Sequence, residues 1–225
     1  MTGSVAQPRA PSLQTRFRQA LFALSRRIPL AGFDARALLP EEDECTQIVQ
    51  ALGAAVALLE RYAPVRLECL KRDLPRIWVG LTHNRGECLA AVSMCLLRFD
   101  YVANPSTSPV SLAMTLVHEG THARLIRAGF GYRESQRRRL EHLCVWAELI
   151  FAKRVPGSEH ERESVGRLLE ENDEFWSSAA SQQRALNHLR TLGWSGKVGF
   201  HIAKVGFHMA RLGIVAKRLF TGRAA

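Results

Sequence analysis

Two histidines and a glutamate near the middle of the chain have the residue types and spacing of a metal site with a base beside it. His118 and His122 are four residues apart. A helix turns once in about 3.6 residues, so both imidazoles would lie on one face of a helix. Neutral imidazoles at this spacing bind Zn²⁺, and Glu119, one position further round, can reach a water at the ion. The three residues therefore predict two metal ligands and a general base.

The surrounding residues predict the helix that this chemistry needs, over 109–128. Ser108 is a good N-cap, and Pro109 suits the first helical position, where its missing N–H costs nothing. Gly129 is a suitable left-handed stop. Residues 109–117 carry no charge, so we expect this helix to be buried and its polar residues to have partners.

This stretch resembles the HExxH signature of the zincin metallopeptidases. The resemblance covers residues 115–123, Thr-Leu-Val-His-Glu-Gly-Thr-His-Ala, and Arg124 departs mildly from the apolar residue that is usual there. Leu125 and Ala128 stand where the metzincins need glycine and histidine, which excludes that subgroup. The resemblance implies a zinc-dependent hydrolase that acts on a peptide or protein substrate, with Glu119 as general base. Tyr132 and Arg127 are nearby candidates for stabilising the transition-state oxygen, and the sequence does not choose between them.

A catalytic zinc site normally has a third protein ligand, and we expect it on the next helix, predicted over 134–154. A short connection makes the two helices antiparallel, and a rise of about 1.5 Å per residue brings Glu141 level with His122. The predicted buried stripe of this helix comprises Leu140, Leu143, Cys144, Ala147 and Phe151, and Glu141 and Glu148 flank it.

We therefore predict His118, His122 and Glu141 as metal ligands, with Glu148 as second choice. The interval between His122 and Glu141 is similar to that in the gluzincins, whose third ligand is a glutamate, but the usual asparagine or aspartate companions of that residue are not evident. Glu148 could instead accept a hydrogen bond from the free ring N–H of a histidine. Cys144 is interpreted as a small core residue rather than a ligand.

The whole pattern predicts a mainly helical α+β protein. A leader over 1–14 is expected to be disordered, and a metallopeptidase-like domain is expected over 15–192. The domain should contain a helix over 41–62 and a small antiparallel sheet, with a strand over 77–81 and one or two more within 88–102. The sheet directly precedes the His118 helix. Further helices are predicted between residue 157 and Trp176 and over 181–192.

Residues 193–225 form a basic tail with a near-exact heptad repeat. On a helix, its basic residues and its glycines would occupy opposite sides: Lys197, His201, Lys204, His208 and Arg211 on one, and Gly199, Gly206 and Gly213 on the other. Glycines in register allow another backbone to approach closely. Docking on its own domain, self-association and contact of residues 197–220 with an anionic membrane surface all remain open. A shorter basic amphipathic segment, over 16–30, is expected to pack on the domain.

Composition narrows the partners and the compartment. With 31 basic and 21 acidic residues, the net charge is +10, which favours anionic partners. No nucleic-acid-binding motif is recognisable, so nucleic acid is a disfavoured partner. The five cysteines are an odd number without a C-x-x-C pair, and arginines interrupt the first apolar stretch. We expect a cytoplasmic protein, with peripheral membrane association as the alternative.

Two other functions stay open: a zincin-shaped metal-binding protein without turnover, and a basic adaptor that acts through its tail.

Overall fold

The structure, a computed structural model, describes residues 13–131, 133–172 and 174–192. The first half of the described chain contains, in order, α1 (Leu13–Leu24), β1 (Arg26–Ile28), β2 (Asp34–Ala37), α2 (Glu42–Tyr62), α3 (Pro64–Asp73), β3 (Arg76–Gly80), β4 (Gly86–Leu89), a 3₁₀ turn (Ala90–Val92) and β5 (Met94–Arg98). The remaining elements are helices: α4 (Phe99–Val102), α5 (Pro109–Arg127), α6 (Glu134–Ala152), α7 (Glu159–Leu169) and α8 (Ser178–Leu192). The predicted α+β class is confirmed.

The five described strands form one sheet in the order β1-β2-β3-β5-β4. β2 and β5 both pair in parallel with β3, whereas β1 and β4 pair antiparallel with β2 and β5. The prediction of an antiparallel sheet was therefore wrong. Between β2 and β3 the chain passes through α2 and α3, and a crossover of that length joins parallel strands. β1 and β2 were missed because they are short and carry three arginines and an aspartate, which do not mark a strand.

Helices cover both faces of this sheet. Ile77 and Val79 of β3 belong to a core cluster with buried residues of α2, α3 and α5. The other face carries Trp78, whose ring packs edge to face against Phe22 of α1, with 6.4 Å between ring centroids. The Trp78 indole N–H also donates to the Ser25 hydroxyl at 3.0 Å. The basic segment predicted over 16–30 thus comprises the end of helix α1, which packs on the sheet, and the edge strand β1. Residues 1–12 of the predicted leader lie outside the described residues.

Helix α5 has the ends that the sequence predicted. The Ser108 hydroxyl accepts a hydrogen bond from the Ser111 N–H at 3.0 Å, and Pro109 opens the first turn. After Ala128 caps the helix, Gly129 adopts a positive φ of 89°. This is the left-handed region that glycine enters without steric cost. Ten residues of α5 between Leu112 and Ala123 are buried, and these include Glu119 and His122.

Helix α6 packs against α5 and differs from its prediction in one side chain. Leu140, Cys144, Ala147 and Phe151 are buried as expected, but Leu143 is 44% exposed. Leu143 lies on the same outer side as Trp146, which is 52% exposed. The buried side of α6 is narrower than predicted because the helix is covered by α5 and α7 and leaves its outer side to solvent.

A second compact unit begins at Ala179, and its described part is helix α8. The glycine heptads and the basic stripe of residues 193–225 lie outside the described residues. Among the helices that the structure does describe, none combines the length and the apolar character needed to cross a bilayer.

Candidate metal centre

The imidazole rings of His118 and His122 on α5 face one another with their Nε2 atoms. Their Nε2 atoms lie 3.0 Å apart, and the ring centroids are separated by 4.7 Å. His122 is buried, whereas the His118 side chain is 17% exposed. The helical spacing therefore produces the paired imidazoles that the sequence predicted.

The Glu141 carboxylate of α6 lies against this pair. Its Oε2 atom is 3.3 Å from Nε2 of His118 and 3.5 Å from Nε2 of His122. Four ligands at about 2.05 Å from a tetrahedral ion stand about 3.3 Å from one another. The two nitrogens and the oxygen lie 3.0 to 3.5 Å from one another, a separation compatible with three ligands of one metal ion. The other carboxylate oxygen faces the Arg137 guanidinium at 3.9 Å.

The second ring nitrogen of each histidine has its own partner on α6. Nδ1 of His118 contacts Oε1 of Glu148, and Nδ1 of His122 lies 3.3 Å from the Cys144 sulfur. A hydrogen bond donated by Nδ1 selects the tautomer whose Nε2 carries a lone pair, and it fixes the plane of the ring. His118 thus contacts Glu148, and His122, one turn further along α5, contacts Cys144, one turn earlier on α6.

Cys144 offers a second set of donor atoms. Donor atoms of His118, His122 and Cys144 lie within 4.8 Å of one another, and this group could bind a metal ion. Cys144 was predicted to be a core residue, and its side chain is indeed fully buried. Burial, together with the nearby charges of Glu141 and Glu119, raises the pKa of the Cys144 thiol far above its usual value. The thiol is therefore held protonated in the absence of metal.

The Glu119 side chain extends from α5 and is buried against the edge strand β4. Its Oε1 atom would be only 2.8 Å from a Cβ atom added to Gly86, the first residue of β4. Thr115, one turn before Glu119, touches the same point of Gly86 and shares a hydrogen bond of 3.1 Å with the Tyr101 hydroxyl. Burial raises the pKa of Glu119, and this effect is larger than the lowering by the charges of His118 and His122. A carboxylate with a raised pKa is a better proton acceptor.

If Glu119 is the general base that the sequence predicts, replacing Gly86 with alanine should displace its carboxylate and lower the rate of peptide cleavage about tenfold to a hundredfold. A misplacement of about 1 Å at a reacting group can cost a hundredfold. Gly53→Ala is the matched control, since no atom lies within 4 Å of its Cβ position and the residue is exposed on α2. Equal activity of both variants would show that Gly86 does not hold Glu119 in place.

Three other residues complete the comparison with the sequence. Arg127, a candidate oxygen-stabilising donor, forms a 3.0 Å ion pair with Asp73 of α3. Tyr132, the other candidate, lies outside the described residues. Gly86 is not among the site residues that the sequence predicts, because no sequence signal shows that its missing side chain makes room for Glu119.

Comparisons of the chain with protein-family models, curated proteins and solved structures gave no match. Its function must therefore be argued from the geometry of the His118 and His122 pair and its neighbours.

Proposed function

We propose that the protein is a zinc-dependent hydrolase of peptide bonds, with His118, His122 and Glu141 as ligands and Glu119 as general base. One observation carries this proposal: two imidazole nitrogens and one carboxylate oxygen converge within 3.5 Å of one another. The buried Glu119 carboxylate is on the turn of α5 between the two histidines. The convergence supplies three of four tetrahedral positions and leaves the fourth for water or substrate.

Glu141 is the better third ligand because of the direction in which each donor points. It faces the Nε2 atoms of both histidines, whereas Cys144 faces Nδ1 of His122 alone. A metal at both Nε2 atoms would have Cys144 and Glu148 behind the rings, each next to an Nδ1 atom. That is the usual place of outer partners, which orient the ligands and tune their basicity.

Each residue then has a defined task. Bound Zn²⁺ would lower the pKa of a water molecule towards about 7 and polarise a carbonyl group. Glu119 accepts the proton of the attacking water and delivers it to the leaving amine. The Glu148 carboxylate holds the His118 ring, and Gly86 makes room for Glu119.

A peptide is supported as substrate by the resemblance of residues 115–123 to zincins and by the position of β4. This strand is at one edge of the sheet, directly beside Glu119. An extended peptide can add to such an edge through backbone hydrogen bonds. The scissile carbonyl would then lie next to the base.

The proposal is tested by metal removal. A full-length protein purified with one zinc ion should cleave members of a mixed peptide library, detected by mass spectrometry. A chelator should abolish cleavage and added Zn²⁺ should restore it, while His118→Ala should have neither zinc nor activity. Zinc binding without cleavage of any peptide would instead favour a metal-binding protein without turnover.

The metal-free protein should show a characteristic pH dependence. Burial opposes a charge on His118, but the Glu148 carboxylate and the hydrogen bonds to Glu141 and Glu148 outweigh it, so the pKa of His118 lies well above its usual value. The charged imidazole therefore stabilises the metal-free fold below a pH of about 6.5, and this contribution is lost as the pH rises through the raised pKa.

The melting temperature of chelator-treated protein should accordingly fall as the pH rises above about 6.5. The zinc-loaded protein should not follow it, because metal binding requires the deprotonated ring and strengthens as protons are removed. Thermal denaturation of both forms across this range measures the difference. Parallel curves for the two forms would contradict zinc binding at His118.

A further inference from the structure

A narrow crevice opens on the side of α5 that faces away from the histidine pair. It lies between α5 and the packed helices α2 and α3, and its floor is formed by apolar side chains and by Gly120. The residues around it include Arg66 and Leu70 of α3 and Gly120 and Arg124 of α5. Gly120 allows the close approach, since a Cβ there would be 3.1 Å from Cδ1 of Leu70.

The charged residues around this crevice are all of one sign. Arg66 of α3 is half-buried and Arg124 of α5 is exposed, and no acidic residue lines the crevice with them. Neither arginine forms a salt bridge with any acid in the described parts of the chain. The charge of Arg124 helps to lower the pKa of Asp73, but the Asp73 carboxylate already forms ion pairs with Arg72 at 2.9 Å and with Arg127 at 3.0 Å.

The environment of Arg66 is unfavourable for its charge. Burial and the like charges of Arg124 and Arg154 lower the pKa of Arg66, and no carboxylate contributes in the opposite direction. Arg154 donates a 3.5 Å hydrogen bond from Nη1 to the Tyr62 carbonyl oxygen. Arg66 thus experiences the like charges of two further guanidinium groups, and no acidic residue is among those that line the crevice. Guanidinium groups match the oxygen atoms of phosphate in charge and in planar donor geometry.

We propose that the mouth of this crevice binds a phosphate-type oxyanion between Arg66 and Arg124. The anion accepts hydrogen bonds from both guanidinium groups, and the charge of Arg154 adds long-range attraction. Because Arg66 is on α3 and Arg124 is on α5, the bound anion links these two helices. Its binding therefore stabilises the packing of α5, whose opposite side bears His118 and His122. This site is separate from the proposed zinc centre and does not depend on it.

Thermal denaturation of the full-length protein tests the proposal, with inorganic phosphate replacing chloride at constant ionic strength and pH. The wild-type melting temperature should rise with phosphate, and the rise should become linear in the logarithm of the phosphate concentration once the site is mostly filled. Arg124→Gln should weaken the apparent affinity about tenfold or more, because it removes a hydrogen bond between charged groups, and the double variant Arg66→Gln with Arg124→Gln should abolish the rise.

Arg61→Gln is the control, because this exposed residue of α2 loses the same charge outside the crevice. It should respond to phosphate as the wild type does. A second arm with phenyl phosphate distinguishes the sources: a rise with both compounds that the double variant lacks indicates a phosphate ester, and such a rise with phosphate alone indicates the free ion. An equal rise in all variants, or no rise in the wild type, would overturn the proposal.

Discussion

Glu119→Gln should lower kcat for peptide cleavage by about 10²- to 10⁴-fold, the usual contribution of a positioned general acid–base group. Glutamine has almost the same shape but cannot accept the proton of the attacking water. The folded protein should tolerate the change, because the buried Glu119 carboxylate already has a raised pKa and a neutral amide avoids its desolvation cost.

Zinc content separates this effect from simple loss of the centre. Glu119→Gln should retain one zinc ion per chain, and Glu60→Gln, an exposed position on α2, should retain both zinc and activity. If Glu119→Gln cleaved peptides at the wild-type rate, Glu119 would not be the base and the proposed mechanism would fail.

Glu141→Ala and Cys144→Ala should weaken zinc binding to different extents. Loss of Glu141 removes a ligand and should weaken zinc binding by more than the roughly 10- to 100-fold that loss of an outer partner costs. Cys144→Ala removes only a contact at Nδ1 of His122 and should remain within that smaller range. Competition with a chromogenic zinc chelator measures both affinities.

The reverse order would identify the other donor set. If Cys144→Ala lost zinc and Glu141→Ala kept it, the metal would be held by His118, His122 and Cys144, the group whose donor atoms lie within 4.8 Å. A thiolate ligand in place of the carboxylate would make Glu141 a neighbour of the metal rather than a ligand.

The position of Glu141 could be predicted because local rules determine it. Ser108 and Gly129 mark the ends of α5, and a connection of few residues constrains α6 to run back along it. The rise per residue then gives the height at which His122 and Glu141 meet, and the structure places their nearest atoms 3.5 Å apart. No long-range information is needed for this estimate.

The errors arose where long-range packing decides the outcome. The parallel pairing of β2 with β3 depends on how α2 and α3 fold back over the sheet, which the residues of the strands do not reveal. Leu143 was assigned to the buried side of α6 because it is apolar, but the number of neighbours around a helix determines how wide that side is. Gly86 meets Glu119 only through the tertiary fold, so the need for glycine there has no local signal.

X-ray absorption spectroscopy at the zinc edge of the full-length, zinc-loaded protein tests the central claim most directly. Two imidazoles and a carboxylate predict a first shell of nitrogen and oxygen at about 2.0–2.1 Å, with imidazole scattering beyond it and no sulfur. A zinc–sulfur distance of about 2.3 Å would contradict the ligand set and assign Cys144 instead. Failure of the protein to hold zinc at all would remove the basis of the proposed hydrolase.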